Sequence, residues 1–234
     1  MQELYGTDFK LVQTWANGVM FARTDLFSYP IYRIRIDPNS YDKEKIISDV
    51  LHNKSLSNTR NAASTDLCNI HQSYLDANNE NFRAINYEKL IAVYHKIFEE
   101  FFNKEVSATK PFEWEFSIIN YTAITEGQSL VPHNHLPWDF AAAHYLNFKK
   151  DHVYTRFANP ASSAPYLLLL QSNLYDIVDP NAVENSYLFG NNSPLAEEDD
   201  MVIFPSSLNH EIVLQGPTKE PRITISTNVR IKNE

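Results

Sequence analysis

The chain holds one cysteine, Cys68, in 234 residues. That excludes an intrachain disulfide and any multi-cysteine metal site, and Cys68 itself reads as a small core residue rather than a nucleophile. Glycine is scarce, at five residues, and no Pro/Gly-rich or low-complexity stretch marks disorder. Long apolar runs are missing. The longest, YLLLL at 166–170, is far too short to span a bilayer, so no membrane association is expected. The opening MQELYGTDFKLVQ has neither a basic n-region nor an apolar h-region, which predicts a soluble cytoplasmic protein without a signal peptide. Basic residues are in deficit: 20 Lys and Arg against 29 Asp and Glu, a net charge of -9. Such a surface repels phosphate backbones and argues against nucleic acid as a partner. Paired carboxylates suited to acid–base catalysis are also lacking. The run AEEDD at 196–200 is five residues in a row before a strand and reads as a solvated turn.

What is present divides into two textures within one domain, 1–234, with a helical support region over 1–110 and a β core over 111–234. The stretch SYDKEKIISDVL (40–51) predicts a helix with Ser40 as N-cap. NYEKLIAVYHKIFEEFFNK (86–104) predicts a longer amphipathic helix with an Asn cap and an apolar face of Leu90, Val93, Tyr94, Ile97 and Phe101. HNKSLSNTRNAAS between them reads as a loop, and YPIYRIRID before them alternates like a strand. From about residue 110 the period becomes two. FEWEFSIINYTAI, DFAAAHYLNF, MVIFP, HEIVLQ and RITISTNVRI read as strands separated by turns, which suggests an antiparallel sandwich or barrel with the helices packed outside.

Three stretches carry chemistry. VPHNHLPWDF (131–140) sets His133 and His135 one residue apart, where side chains at i and i+2 of a strand share a face, with Asp139 four residues on. MVIFPSSLNHEIV ends a strong strand in Pro-Ser-Ser and opens the next at His210. In PRITISTNVR, a strand would align Arg222, Thr224, Ser226 and Asn228 on one face and Ile223, Ile225 and Val229 on the other. A buried row of Arg and hydroxyls is costly unless something satisfies it, and a bound carboxylate would, because a guanidinium fork suits it bidentately. Imidazoles with a carboxylate suit a divalent transition metal such as Fe(II). Each feature also has a bland reading. A His-x-His pair fits a surface loop, and Arg222 could pair with Glu220 or Glu211 on an exposed strand.

HNHLPWDFAAAHYL, FPSSLNH and RITISTN, in this order and spacing, resemble the 2-oxoglutarate/Fe(II)-dependent oxygenases, closest to a cyanophage and marine-bacterial branch related to prolyl hydroxylases. The likeness covers roughly 112–230. It implies a mainly β fold with flanking α, a double-stranded β-helix (jelly-roll) core with N-terminal helices packed outside. It also implies a dioxygenase that uses Fe(II), 2-oxoglutarate and O2 to hydroxylate a protein or peptide side chain, prolyl first, or a small molecule. By the resemblance, His133 and His210 match metal ligands and Arg222 pairs with the far carboxylate of 2-oxoglutarate. Ser226 and Thr224 would support that carboxylate, and Tyr121 or Asn120 would reach it from the side. The family's usual carboxylate two residues after the first histidine is His135 here, so either His135 or Asp139 is the third ligand. The family's Ser-Gly is Ala141-Ala142. Two rivals stand beside this reading: a cupin-like metalloenzyme that does not use 2-oxoglutarate, and a non-catalytic phage structural or scaffold protein. Self-association as a homodimer is also open.

Overall fold

The chain is described from a computed structural model over residues 29–56, 81–160, 179, 191–193 and 195–232, with the backbone alone at 12–16, 19–23 and 71–72. Cys68 and the YLLLL run lie outside the described residues. Two compact units emerge, Met1–Pro30 and Ile31–Glu234. The first contains an antiparallel hairpin, β1 (Val12–Ala16) with β2 (Val19–Arg23), Val12 opposite Arg23.

The second unit is mainly β with two helices. Its elements are β3 (Tyr32–Arg35), α1 (Lys43–Leu56), β4 (His71–Gln72), α2 (Glu88–Glu105), β5 (Glu113–Ile124), β6 (Leu130–His133), β7 (Phe140–Asn147), β8 (Thr155–Ala158), β9 (Asn191–Asn192), β10 (Asp200–Pro205), β11 (His210–Ile212) and β12 (Arg222–Lys232). They form a six-stranded sheet, β3-β10-β7-β12-β5-β4, and a four-stranded sheet, β6-β11-β8-β9, with every pairing antiparallel. The five stretches of period two expected after residue 110 are β5, β7, β10, β11 and β12.

The large sheet is buried on both faces, and alternation divides its residues between two cores. One face carries Ile223, Ile225 and Val229 of β12, Met201 and Ile203 of β10, and Ala142 and Leu146 of β7. They pack against Ile46 and Val50 of α1 and Leu90, Tyr94, Phe98, Phe101 and Phe102 of α2. The other face carries Ala141 and Tyr145 of β7 and Val202 and Phe204 of β10, which meet Phe157 of β8 and Leu208. Phe157 and Phe204 touch edge to face, their centroids 4.9 Å apart, and so join the two sheets.

Helix boundaries depart from the sequence expectation in two places. Ser40 does not cap α1. Its hydroxyl donates to Asp37 O (2.6 Å) within a 3-10 turn, Pro38–Ser40, and the helix opens later, where Ile46 N–H donates to Asp42 O (3.0 Å). The polar stretch taken for a loop is helical to Leu56, because tertiary partners satisfy its polar side chains. Asn53 Nδ2 donates to Arg83 O (3.0 Å) and to Tyr121 Oη (3.3 Å), and Lys54 Nζ donates to Ala123 O (3.1 Å). Asn86 does accept from Glu88 N–H at the start of α2 (2.9 Å).

A polar clasp joins the helical layer to the sheet. His144 of β7 is fully buried on the helical face, with Tyr94 Oη 2.8 Å from Nδ1 and Tyr41 Oη 3.5 Å from Nε2. Burial first, then the nearby Lys43 ammonium, hold its pKa down at about 3. The unfolded chain titrates this imidazole near 6.5, so below that pH it binds a proton that the folded state refuses. The resulting stability is fully present above about pH 6.5 and drains away as pH falls towards 3. In urea titrations the stability of the wild type should fall between pH 6 and 4. His144→Gln should flatten that slope by about 1.4 kcal/mol per pH unit, one proton's worth. An unchanged slope would contradict the neutral clasp.

Candidate metal centre

Strand pairing brings the histidines together. His210 opens β11 directly opposite His133, the last residue of β6, and opposite Phe157 of β8 on its other side. His135 lies two residues beyond β6, where its N–H donates to Ser206 O (2.9 Å) and its carbonyl accepts from Trp138 N–H (3.1 Å). The ring centroids of His133 and His210 are 4.3 Å apart, those of His135 and His210 5.1 Å and those of His133 and His135 5.3 Å. One potential ligand nitrogen from each ring lies within 4.8 Å of the others, and the Nε2 atoms of His135 and His210 are 3.3 Å apart. Neighbouring ligands about 2.1 Å from a shared ion sit roughly 3 Å apart, so the three rings need only small inward rotations to share one.

The rings are held from behind. His133 Nδ1 donates to Val131 O (2.9 Å) and His210 Nδ1 to Leu208 O (3.0 Å), which leaves each Nε2 with a free lone pair. Burial first, then neighbouring His133, depress His210 to about 3 and His135 to about 4. Both rings are therefore neutral at pH 7, the form a metal binds. Phe204 and Phe157 flank His210 with centroids 4.8 and 5.7 Å away, walling one side with apolar rings.

Deeper in the same interior sits Arg222, fully buried. Its Nε donates to Val153 O (3.0 Å), one terminal nitrogen to Thr155 Oγ1 (3.0 Å) and the other to Thr224 Oγ1 (3.4 Å). The guanidinium carbon lies 5.0 Å over the Tyr145 ring and 5.8 Å over Phe148. Burial pulls its pKa below the ordinary value, and no carboxylate among the described residues faces it. Glu211, one bland partner, is instead taken by Arg156 at 2.5 Å. Glu220 accepts from Asn147 through Oε2 (3.4 Å). Hydroxyls ring the guanidinium: Thr122 Oγ1 lies 2.7 Å from Thr224 Oγ1, and Tyr145 Oη donates to Thr155 Oγ1 (2.7 Å). Thr155 faces Ile212 across the β8–β11 ladder, two residues from His210, so the guanidinium's contact and the imidazole stand roughly 7 Å apart along the strand.

The other sequence-derived candidates separate cleanly. Thr224 touches Arg222, while Ser226 shares its face, partly buried, opposite Asn120 of β5. Asn120 turns inward, and its Oδ1 is buried without a hydrogen-bond partner. Tyr121 does not reach the pocket: it sits in the helical-face core with its hydroxyl against Asn53. A register shift where Ser226 and Thr227 pair with Asn120 and Ile118 leaves Ile119 unpaired and reverses the alternation of β5. Asp139 is exposed, and its Oδ2 accepts from Ile231 N–H (2.7 Å), so it stands outside the histidine cluster, of which His135 is a member. Of the alanine pair, Ala141 faces the interior and Ala142 the helices. Sequence reading missed Tyr145, Thr155 and Thr122. Only the positions of Tyr145 and Thr122 opposite Thr224 could have drawn attention to them, and Thr155, on the other sheet opposite Ile212, carries no such signal.

Titration of the metal-free protein with Co(II) should reveal one site per chain. His210→Ala and His133→Ala should each weaken it by at least 100-fold. Asp139→Ala should leave affinity within about twofold, because its carboxylate is engaged with β12; a loss equal to that of the histidine variants would place the third ligand there instead.

No family profile and no curated protein matches the sequence. Solved structures do. A prolyl hydroxylase from Trichoplax adhaerens, in complex with a hypoxia inducible factor oxygen degradation domain peptide fragment, is 11% identical over 86% of this chain and 83% of its own, with a TM-score of 0.50. A prolyl-4-hydroxylase from Pseudomonas putida is 11% identical over 88% and 95%, at 0.48. A viral collagen prolyl hydroxylase of Paramecium Bursaria Chlorella virus-1, as its 2OG complex, is 12% identical over 87% and 96%, at 0.46. At such identities it is the fold that is shared, through the likeness to the Trichoplax enzyme.

Proposed function

We propose that this chain is a 2-oxoglutarate- and Fe(II)-dependent oxygenase that hydroxylates a C–H bond, built on a double-stranded β-helix (jelly-roll) core of the prolyl hydroxylase kind. The observation that carries the reading is a fully buried guanidinium with only neutral partners, in the same interior as three converging imidazoles. An uncompensated buried charge is costly, and Arg222 regains that cost when an anion enters. A keto diacid meets both halves of the site, with one end at a metal and the far carboxylate on Arg222.

His133, His135 and His210 would hold the iron. When bound, the iron and 2-oxoglutarate supply the oxidising chemistry, coupling decarboxylation of the keto acid to succinate with transfer of one oxygen atom from O2 into a substrate C–H bond. The chain's own part is placement. Arg222, supported by Thr224, Thr155 and Tyr145, fixes the diacid end to end, and Asn120 Oδ1 and Ser226 line the same face with polar atoms still to be satisfied or free to turn. Phe157, Phe204 and Leu208 keep water from the inner wall. No side chain is asked to act as general acid or base. A peptide prolyl side chain is the first substrate to try, because the Trichoplax enzyme of like fold is seen with a peptide. Kinship with the cyanophage and marine-bacterial branch rests on the sequence stretches HNHLPWDFAAAHYL, FPSSLNH and RITISTN alone.

Three converging imidazoles would also serve a cupin-like metalloenzyme that does not use 2-oxoglutarate, and the buried arginine separates the two. With Fe(II) and 2-oxoglutarate under air, the wild type should form succinate, and anaerobically it should develop a metal-to-ligand charge-transfer band. Arg222→Met should raise the 2-oxoglutarate needed for half-saturation by roughly 10- to 100-fold, the worth of a charged hydrogen-bonded contact, while Co(II) affinity stays within about twofold. His210→Ala should abolish both. Metal turnover indifferent to Arg222→Met would favour the cupin-like chemistry, and a chain that holds no metal would return the fold to a scaffold role.

A further inference from the structure

The three imidazoles are not equivalent in their hydrogen bonding. His133 and His210 each give the Nδ1 proton to a backbone carbonyl, an acceptor only, so each Nε2 is bare. His135 has no carbonyl behind it. Its Nδ1 faces the side-chain amide of Asn228, a residue of β12 that is buried and paired opposite Ala141. The orientation of that amide follows from its neighbours. Trp138 Nε1–H can only donate, so Asn228 Oδ1 turns to it (3.1 Å). That leaves Asn228 Nδ2 to donate to His135 Nδ1 (2.7 Å) and to Thr227 O (3.3 Å). A ring that accepts at Nδ1 carries its proton on Nε2. The opposite side of the ring agrees: His135 Nε2 stands 3.3 Å from the bare Nε2 of His210, a contact that is favourable only if one of the two nitrogens bears a proton.

We infer that Asn228 is a positioning residue that, without metal, holds His135 in the tautomer unable to bind one, so that a half-turn of its amide gates the third ligand. This rests on the metal reading above. Ligation by His135 Nε2 moves the ring's single proton to Nδ1 with no net uptake or loss. Asn228 Oδ1 must then turn to accept it, and Trp138 Nε1–H gives up its acceptor. Two imidazoles are thus set for metal in advance, and the third is released at the expense of one neutral hydrogen bond. Trp138 is the counterweight, itself pinned by the Arg230 guanidinium 4.6 Å over its ring and by Ser206 Oγ, which donates to its carbonyl.

Two variants and two readouts test this. Long-range 15N–1H spectra of the metal-free protein report which nitrogen of each ring is protonated, and calorimetry with Co(II) reports affinity. In the wild type, His135 should show the proton on Nε2, and His133 and His210 on Nδ1. Asn228→Asp replaces the amide with a near-isosteric group that accepts from Trp138 and His135 at once. It should move the His135 proton to Nδ1 and tighten Co(II) binding by about tenfold. Trp138→Phe removes the competing donor without adding charge. It should tighten binding by about fivefold, the equivalent of one neutral hydrogen bond. Metal-free His135 already protonated on Nδ1, or Co(II) bound no more tightly by either variant, would overturn the gate while leaving the metal centre intact. A wild type that binds no Co(II) would overturn the metal reading and the gate together.

Discussion

The register of β12 is the constraint on which the rest of the structure depends. This strand lies between β5 and β7 in the middle of the six-stranded sheet and pairs along its length with both. Its alternation sends Ile223, Ile225 and Val229 into the helical layer, and Arg222, Thr224 and Asn228 into the other interior. A slip of one residue would exchange the sets, driving a guanidinium among the phenylalanines of α2 and emptying the polar pocket. Burying a charge without partners costs several kcal/mol, as does turning three branched apolar side chains out of a core, so each face holds the other in register.

The same strand explains why much of the site can be read from sequence. RITIS alternates strictly, only Thr227 interrupts the apolar phase before Val229, and period two is a statement about faces. His133 and His210 are legible for a related reason, since each stands at the end of a strand where a ladder can bring it to a neighbour. What escapes is anything decided by an interruption of the period. β5 alternates from Glu113 to Ile118, but at the adjacent pair Ile118–Ile119 the period breaks: Ile119 is unpaired, and the reversed phase beyond it turns Asn120 in and Tyr121 out. Between Asp139 and His135 the sequence offers only the rule that i and i+2 of a strand share a face, which favours His135 beside His133. In the fold, a hydrogen bond from Ile231 N–H fixes the Asp139 carboxylate on the flank of β12, away from the histidine cluster. Tyr145 looks like core because it is core. Its ring packs with Phe148 and Phe157 while its hydroxyl reaches Thr155, a double duty that composition does not reveal.

β7 ties the site to the rest of the unit by the same logic of faces. Its inward residues are small opposite the functional part of β12, with Ala141 against Asn228 and Ala143 against Ser226, and large only at Tyr145. Room is thereby left where a ligand would lie, and bulk is placed where the arginine needs a wall. The outward residues, Ala142, His144 and Leu146, receive the helices, and His144 accepts them through two tyrosine hydroxyls rather than by apolar contact alone. A sheet clamped from behind in this way holds the spacing between Arg222 and the histidine cluster without a covalent tie.

Charge completes the logic of the interior. Three neutral imidazoles contribute nothing to offset a divalent ion, where a carboxylate in the third place would have removed one unit. Arg222 adds another positive charge, and the carboxylates nearest in sequence are engaged elsewhere: Asp139 with β12, Glu211 with Arg156. A metal-loaded interior would hold three positive charges and, among the described residues, no carboxylate facing them. At an effective dielectric of about 20, a pair of unit charges 4 Å apart interacts by about 4 kcal/mol, so an imbalance of this size dominates the choice of ligand. A dianion with one carboxylate for the guanidinium and the other for the metal cancels two of the three charges. A monoanion leaves one end of the site uncompensated, and a neutral ligand leaves both. On the function proposed above, an imidazole from His135 in place of a carboxylate would make the site more dependent on an anionic ligand and would link the occupancy of the metal to that of the diacid.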